Sequence, residues 1–213
     1  MLTSFLRKQY YAKLSRELRD SKTILDVGCG YSSIVQRIEG TFRSTGVDAY
    51  PAYLEGSRKL KIHDDYILAD LQTLNLPPHS YDAAISFDVL EHFEKPDSLR
   101  LLQKIESWAA KKVIISTPNG FVPTLACHAR PDPTLDHLQR HKCGWSTDDF
   151  RARGYRVRGL EGIKWFRADK GIKGKIYKAS YLVTYFFPRM AFRLLAIKDI
   201  SAGHGTMTWR GGQ

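Results

Sequence analysis

Three carboxylates and two glycines are the residues of this chain whose types and spacing most directly suggest chemistry. The first β-rich run closes on Ile24-Leu-Asp-Val-Gly-Cys-Gly30, and a helix signal begins near Ser32. Gly28 and Gly30 there let the chain turn sharply and let a ligand approach the backbone in front of helix N–H groups. The next apolar run ends in Gly46-Val-Asp48, 18 residues beyond Gly30, where a carboxylate can accept hydrogen bonds from both hydroxyls of a ribose. A third run ends in Ala69-Asp70-Leu71, which places a carboxylate to accept from the exocyclic amine of an adenine. The glycine turn and Asp48 together point to an adenosine-containing ligand.

A nicotinamide dinucleotide would use the same turn and the same ribose carboxylate, and two features weigh against it. Asp26 precedes the glycines at the strand end, where it would repel a pyrophosphate but attract a ligand bearing a sulfonium and an α-amino group. The third glycine of G-x-G-x-x-G is absent, because position 33 is Ser. Taken in order, ILDVGCG, GVD, ADL, YDAAISFDVLEHF and KKVIISTPNG resemble the motifs of the class I S-adenosylmethionine-dependent methyltransferases over residues 20–120. Within that class they most resemble the small-molecule branch that includes ubiquinone/menaquinone-biosynthesis C-methyltransferases and many sugar or lipid O-methyltransferases. The resemblance implies S-adenosyl-L-methionine as cofactor and S-adenosyl-L-homocysteine as product. It implies that Gly28 and Gly30 approach the methionine part and that Asp48 holds the ribose. Asp70 with Leu71 then frames the adenine, and Phe87 and Asp88 line the methyl-donor side. Asp88 has a second reading, in which Asp88, Glu91 and His92 simply open a capped helix.

Methyl transfer from a sulfonium is an in-line displacement that asks for alignment and exclusion of water rather than covalent help. A hydroxyl acceptor gains from a general base, usually His near neutral pH. The candidates are His92 at the end of the fourth expected strand and His137 and His141 in a Pro-rich stretch, with Asp88 as the nearest carboxylate. The string Asp136-His137-Leu-Gln-Arg140-His141-Lys-Cys-Gly144-Trp145 resembles an R-H-x-x-G-W segment found in methyltransferases associated with surface-polysaccharide or glycolipid genes. Cys143 stands where that pattern has a small polar residue. The resemblance implies an acceptor-side set of His137, Arg140, His141 and Trp145, with Arg140 and His141 facing the acceptor and Trp145 packing a lid. His141 can equally be read as a hydrogen-bonding residue within its own loop. Cys127, His128, His137, His141 and Cys143 would hold zinc only if the loop folded back, and no C-x-x-C knuckle accompanies them, so no metal is expected.

The elements that must position these residues follow from periodicity. Residues 4–19 read as an amphipathic helix lying across the domain. From Thr23 onward, β-branched runs at 23–28, 43–48, 65–69, 81–87, 111–116, 155–161 and 191–198 alternate with helical stretches at 32–39, 53–61, 97–109 and 147–153. That alternation predicts an α/β, doubly wound, Rossmann-like fold: a seven-stranded, mostly parallel sheet whose final strand is antiparallel. Residues 117–146, broken by Pro118, Asn119, Gly120, Pro123, Pro131 and Pro133, and the Gly- and Lys-rich stretch 162–180 read as irregular. A long irregular insertion in a compact domain suggests a lid. The expected organisation is one domain over 1–213, with a helix at 1–20, a cofactor core at 21–120 and acceptor-site lid segments at 121–146 and 162–187.

Charge adds a partner expectation. Of the net charge of +11, residues 1–150 contribute nothing, with 19 basic and 19 acidic side chains, whereas residues 151–213 hold 14 basic against 3 acidic. Aromatic residues interleave with those bases, which reads either as a surface for anionic lipid, phosphate or nucleic acid, or as a solvated face over ordinary core aromatics. The apolar run from Tyr181 to Ile197 is interrupted by Pro188, Arg189 and Arg193 and does not read as a spanning helix. Three cysteines and no secretory signal fit a cytoplasmic protein, with peripheral membrane contact through the basic third. The expected substrate is a small or lipid-linked acceptor, plausibly a glycan intermediate. A nucleic-acid substrate ranks lower, because neither an Asn/Asp-Pro-Pro-Tyr/Phe turn nor a Pro-Cys nucleophile follows the fourth strand. A non-catalytic adenosine-binding protein is the remaining alternative.

Overall fold

The computed structural model describes residues 2–123, 139–166 and 172–200. Its seven strands are β1 (Thr23–Val27), β2 (Arg43–Asp48), β3 (Asp65–Leu68), β4 (Tyr81–Phe87), β5 (Ala109–Pro118), β6 (Arg156–Ile163) and β7 (Ala191–Asp199). They form one sheet in the order β3-β2-β1-β4-β5-β7-β6. β1 to β5 pair in parallel, and β7 runs antiparallel to both β5 and β6. Every run read as a strand in the sequence is one, and the final strand has the expected direction.

Alternation along the strands covers the sheet on both faces. Ile24, Ile85, Ile114 and Leu195 join one apolar cluster, while Leu25, Ala84, Val113, Ile115 and Leu194 join the other. Such period-two division is what a sheet with helices on both sides requires. The first face is covered by helix α1 (Leu2–Leu18), which inserts Leu14 and Leu18, together with Val35 and Ile38. The second is covered by helix α3 (Lys95–Trp108), which brings Leu101, Leu102, Ile105 and Trp108. Helix α2 (Pro51–Lys59) packs on β2 and β3. Glu17 fixes the lie of α1 across the sheet by pairing with Lys112 on β5 at 2.9 Å and Arg156 on β6 at 3.3 Å.

Two expected elements differ. The helix read at 32–39 is a single 3-10 turn, Ile34–Arg37. The Ser33 hydroxyl accepts from Val35 N–H and caps the turn, and Ile38 is already extended, so the helix does not propagate. The stretch 162–180, read as irregular, contributes helix α5 (Ile172–Ala179) after helix α4 (Thr147–Arg151), and helix α6 (Tyr181–Phe186) follows. Tertiary packing overrides the weak local signal here. A methyl group at Gly159 of β6 would fall 2.0 Å from the Thr184 carbonyl oxygen, and one at Gly162 would fall 1.9 Å from that of Tyr177. The two glycines are therefore the seats on which the backbones of α5 and α6 rest. No helix among the described residues is long and apolar enough to cross a membrane.

Candidate functional site

The order of the strands reverses between β1 and β4, and the crevice beyond their carboxyl ends is where open α/β sheets bind ligands. Gly28 and Gly30, with φ of 74° and 60°, make the turn leaving β1 in the left-handed region that favours glycine. The N–H groups of Gly28 and Cys29 both donate to the Val47 carbonyl, at 2.8 and 2.9 Å, and fasten the turn to β2. A side chain at Gly28 would strike Val89 at 2.3 Å, whereas a Cβ at Gly30 would meet nothing within 4 Å, so open space lies against the backbone there.

Three acids stand at the ends of three adjacent strands. Asp48 accepts from Gly30 N–H through one oxygen and from Tyr50 N–H through the other, both at 2.9 Å. Burial raises its pKa above the ordinary value, against the pull of those backbone donors. A carboxylate with about four lone-pair sites has capacity left for two ribose hydroxyls. Asp26 is buried, accepts a hydrogen bond from the Ser33 hydroxyl and stands 3.4 Å from His63 Nε2. Burial pushes its carboxyl up to about 7 against the Ser33 hydrogen bond, and the charge of Asp48 adds to the rise. Burial also depresses His63 to about 4, which keeps it neutral. Asp70 is exposed and accepts from Gln72 N–H at 2.8 Å, closing a turn in which Leu71 is buried.

A cavity of about 710 Å³ opens from Asp26, Gly28, Cys29, Phe87 and Asp88, of a size suited to a small organic ligand. Its far wall is assembled from distant segments. Asp88, at φ 57°, pairs with Arg193 of β7, whose Nε donates to Glu161 at 3.2 Å. Glu161, at φ 64° within a break of register in β6, accepts from the Tyr177 hydroxyl at 2.6 Å. Burial opposes the charge of Arg193, but Asp88 and Glu161 outweigh it and raise its pKa, so the guanidinium stays charged. Tyr10 and Tyr11 of α1 and Tyr181 of α6 complete the lining used below. Burial raises the Tyr10 phenol above its usual value, leaving it a neutral hydroxyl.

A second cluster lies behind Asp88 on the 3-10 turn Leu90–His92. Buried Glu91 accepts from the Thr117 hydroxyl at 2.9 Å, and its backbone carbonyl accepts from the N–H groups of Lys142 and Cys143. Those bonds bring His92 and His141 together, with ring centroids 4.9 Å apart and edge to face. His141 Nδ1 lies 2.6 Å from the Val122 carbonyl oxygen and His92 Nδ1 lies 3.4 Å from that of Arg140. Burial, reinforced by the charge of Asp88, pushes Glu91 up to about 8.

The sequence-predicted residues thus fall into separate places. Asp26, Gly28, Phe87 and Asp88 line the cavity, and Asp48 and Asp70 stand at the neighbouring strand ends. His92 and His141 are not among the described residues lining it, and Arg140 is exposed. Trp145 is wholly buried: it stacks on Phe150 at 4.8 Å, donates to Ser98 at 3.0 Å and carries Lys95 Nζ 3.8 Å over its ring. It faces α3 rather than the cavity. His137, Cys127, His128 and most of the segment 121–146 lie outside the described residues.

Sequence reasoning passed over Ser33, Tyr10, Glu161 and Arg193. Two carried a signal. Ser33 occupies the position of the missing third glycine, and Arg193 is a charge within the otherwise apolar run 191–197.

Comparison with known proteins agrees with this geometry. Residues 25–113 match the family model for a methyltransferase domain. No protein among the curated sequences matches. An S-adenosylmethionine-dependent methyltransferase from Archaeoglobus fulgidus superposes with a TM-score of 0.59 at 17% identity, covering 91% of this chain and 93% of its own. A Haloferax volcanii methyltransferase complexed with the Trm112 activator gives 0.58 at 15% identity over 95% and 94%. The magnesium protoporphyrin IX methyltransferase of Synechocystis with bound S-adenosylmethionine gives 0.52 at 15% identity over 92% and 80%. At such identities the likeness speaks for the fold.

Proposed function

We propose that this chain, whose residues 25–113 match a methyltransferase domain, is a class I S-adenosylmethionine-dependent methyltransferase that methylates a lipid-linked acceptor at an anionic membrane surface. The observation that carries this reading is the composition of the cavity mouth. Tyr181 lines the cavity, and residues that follow it on α6 and at its C-cap are exposed, Leu182 60%, Phe186 65% and Phe187 62%. Trp165, at 66%, and Ile176 of α5 are exposed on neighbouring elements. Monomeric proteins rarely leave so much apolar surface in one place unless it meets a partner. The bases of the last third, Lys175 and Lys178 of α5 among them, supply the charge that an anionic bilayer attracts.

The residues present fit the cofactor. The open space at Gly30 and the acceptor oxygens of Asp26 and Asp48 suit a cationic nucleoside, which when bound supplies an electrophilic methyl group on sulfur. In this reading ionised Asp26 faces the α-amino group, Asp48 accepts from the ribose hydroxyls, and Asp70 with Leu71 borders the adenine. Phe87 closes the methyl-donor side to water. Asp88, held by Arg193, and the hydroxyls of Tyr10, Tyr11 and Tyr181 orient the acceptor.

Sedimentation with vesicles tests the membrane reading. Phosphatidylglycerol vesicles at low salt should pull down the protein, phosphatidylcholine vesicles should not, and Phe186→Asp with Phe187→Asp should abolish pelleting while donor binding stays intact. Equal pelleting on both lipids, or by the double variant, would remove the anionic surface from the proposal.

A further inference from the structure

The cluster behind Asp88 is equipped for a task that methyl transfer does not require. We propose that Glu91, His92 and His141 bind one divalent transition-metal cation of borderline softness, of the zinc or cobalt(II) class. Among the described residues, one donor atom from each of the three lies within 4.8 Å of the other two. Glu91 Oε1 is buried without a hydrogen-bond partner, although Oε2 of the same carboxylate is satisfied by Thr117. A buried polar atom left in that state costs about 1–3 kcal/mol, and coordination to a cation would satisfy it.

The surroundings have the form of a support for metal ligands. An imidazole that binds a metal through one nitrogen commonly gives its other N–H to a carbonyl or carboxylate, which fixes tautomer and ring orientation. The Val122 carbonyl stands 2.6 Å from His141 Nδ1 in that role, and the Arg140 carbonyl stands 3.4 Å from His92 Nδ1. Thr117 orients the carboxylate in the same way. Two imidazoles and one carboxylate suit zinc and its neighbours rather than calcium or magnesium, which prefer oxygen ligands throughout.

The placement suggests what the ion would do. Glu91 and His92 belong to the turn after β4, and His141 belongs to the returning end of the segment 121–146, 49 residues later. A shared ion would cross-link those two segments beside Ser116 and Asp88, which line the cavity. Three protein donors also leave a coordination position for water or for an oxygen of the acceptor. The site stands independently of whether the acceptor is lipid-linked.

Tag-free protein, stripped with chelator and titrated with cobalt(II), reads the site directly through the ligand-field bands of the bound ion. One equivalent should bind, and Glu91→Gln and His141→Ala should each weaken it at least tenfold, with circular dichroism confirming that both variants fold. Absence of saturable binding by the unmodified protein, or unchanged affinity in both folded variants, overturns the proposal. Should the variants misfold, X-ray absorption at the zinc edge of the unmodified protein decides: nitrogen and oxygen ligands including two imidazoles support the site. A sulfur shell would assign the ion to cysteines instead and sink it.

Discussion

At the ends of β1 and β2 each acid is held by atoms close along the sheet: Asp48 by the N–H groups of Gly30 and Tyr50, and Asp26 by the hydroxyl of Ser33. The opposite wall of the cavity is built otherwise. Asp88 depends on Arg193, 105 residues away, and Arg193 depends on Glu161, which lies in a break of register between β6 and β7. The first wall is therefore a property of strand ends and turns. The second is a property of how the last third of this chain packs on the first. On the proposed reading the first holds the methyl donor and the second the acceptor, and substitutions should reveal the independence of the two.

The largest effect expected is from Trp145→Ala. The indole is wholly buried between Phe150 and Lys95, and its truncation should cost about 4 kcal/mol of stability, as a large core-to-alanine change does. Denaturant unfolding would show the loss, while calorimetry below the transition should find donor affinity unchanged. Normal stability with impaired acceptor turnover would instead return Trp145 to the acceptor site. Asp48→Ala comes next and should do the reverse. Losing charge-assisted bonds to the ribose at about 2 kcal/mol weakens donor affinity about thirtyfold. Asp48→Asn, which keeps one acceptor oxygen, should fall between. Unaltered affinity in Asp48→Ala would mean that the nucleoside lies elsewhere.

The same contrast explains what the sequence could reveal. Strand ends, turn glycines and their carboxylates are local, so Gly28, Gly30, Asp26, Asp48 and Asp70 stood out from spacing, and β-branched runs alternating with helical stretches located all seven strands. Arg193 gave only a hint, because a charge in an apolar run does not announce its partner when that partner, Asp88, lies 105 residues away in the chain. Glu161 gave none, since its direction comes from a positive φ and a register break that composition does not encode. Trp145 was attached to a lid by its neighbours in sequence, whereas its environment is set by α3. The helices α5 and α6 were hidden for a similar reason: Gly162 read as part of an irregular stretch and Gly159 as an ordinary strand residue, but both act as seats for elements arriving later in the chain.

The smallest effect, and the most specific to the donor side, concerns protons. With its carboxyl pushed up to about 7 by burial, Asp26 is largely protonated in the free protein at pH 6, whereas a cationic ligand favours the ionised form. Donor binding must then expel a proton, and affinity should fall about tenfold for each pH unit below 7, until the pKa of the bound state is reached. Above 7 the group is already ionised, and this dependence should flatten. The sign is opposite for the free fold. An unfolded Asp near 4 binds fewer protons than the native one between about 4 and 7, so ionising Asp26 lowers stability across that window. His63, depressed to about 4, is neutral at pH 6 and above, and Asp48, whose pKa burial also raises, is the neighbour that would add to the effect. Calorimetry at pH 6 in buffers of different ionisation enthalpy should count close to one proton released per donor bound, and Asp26→Asn should abolish that release while leaving Asp48 in place. Release that persists in the variant would transfer the titration to Asp48 and leave Asp26 as a structural partner of Ser33.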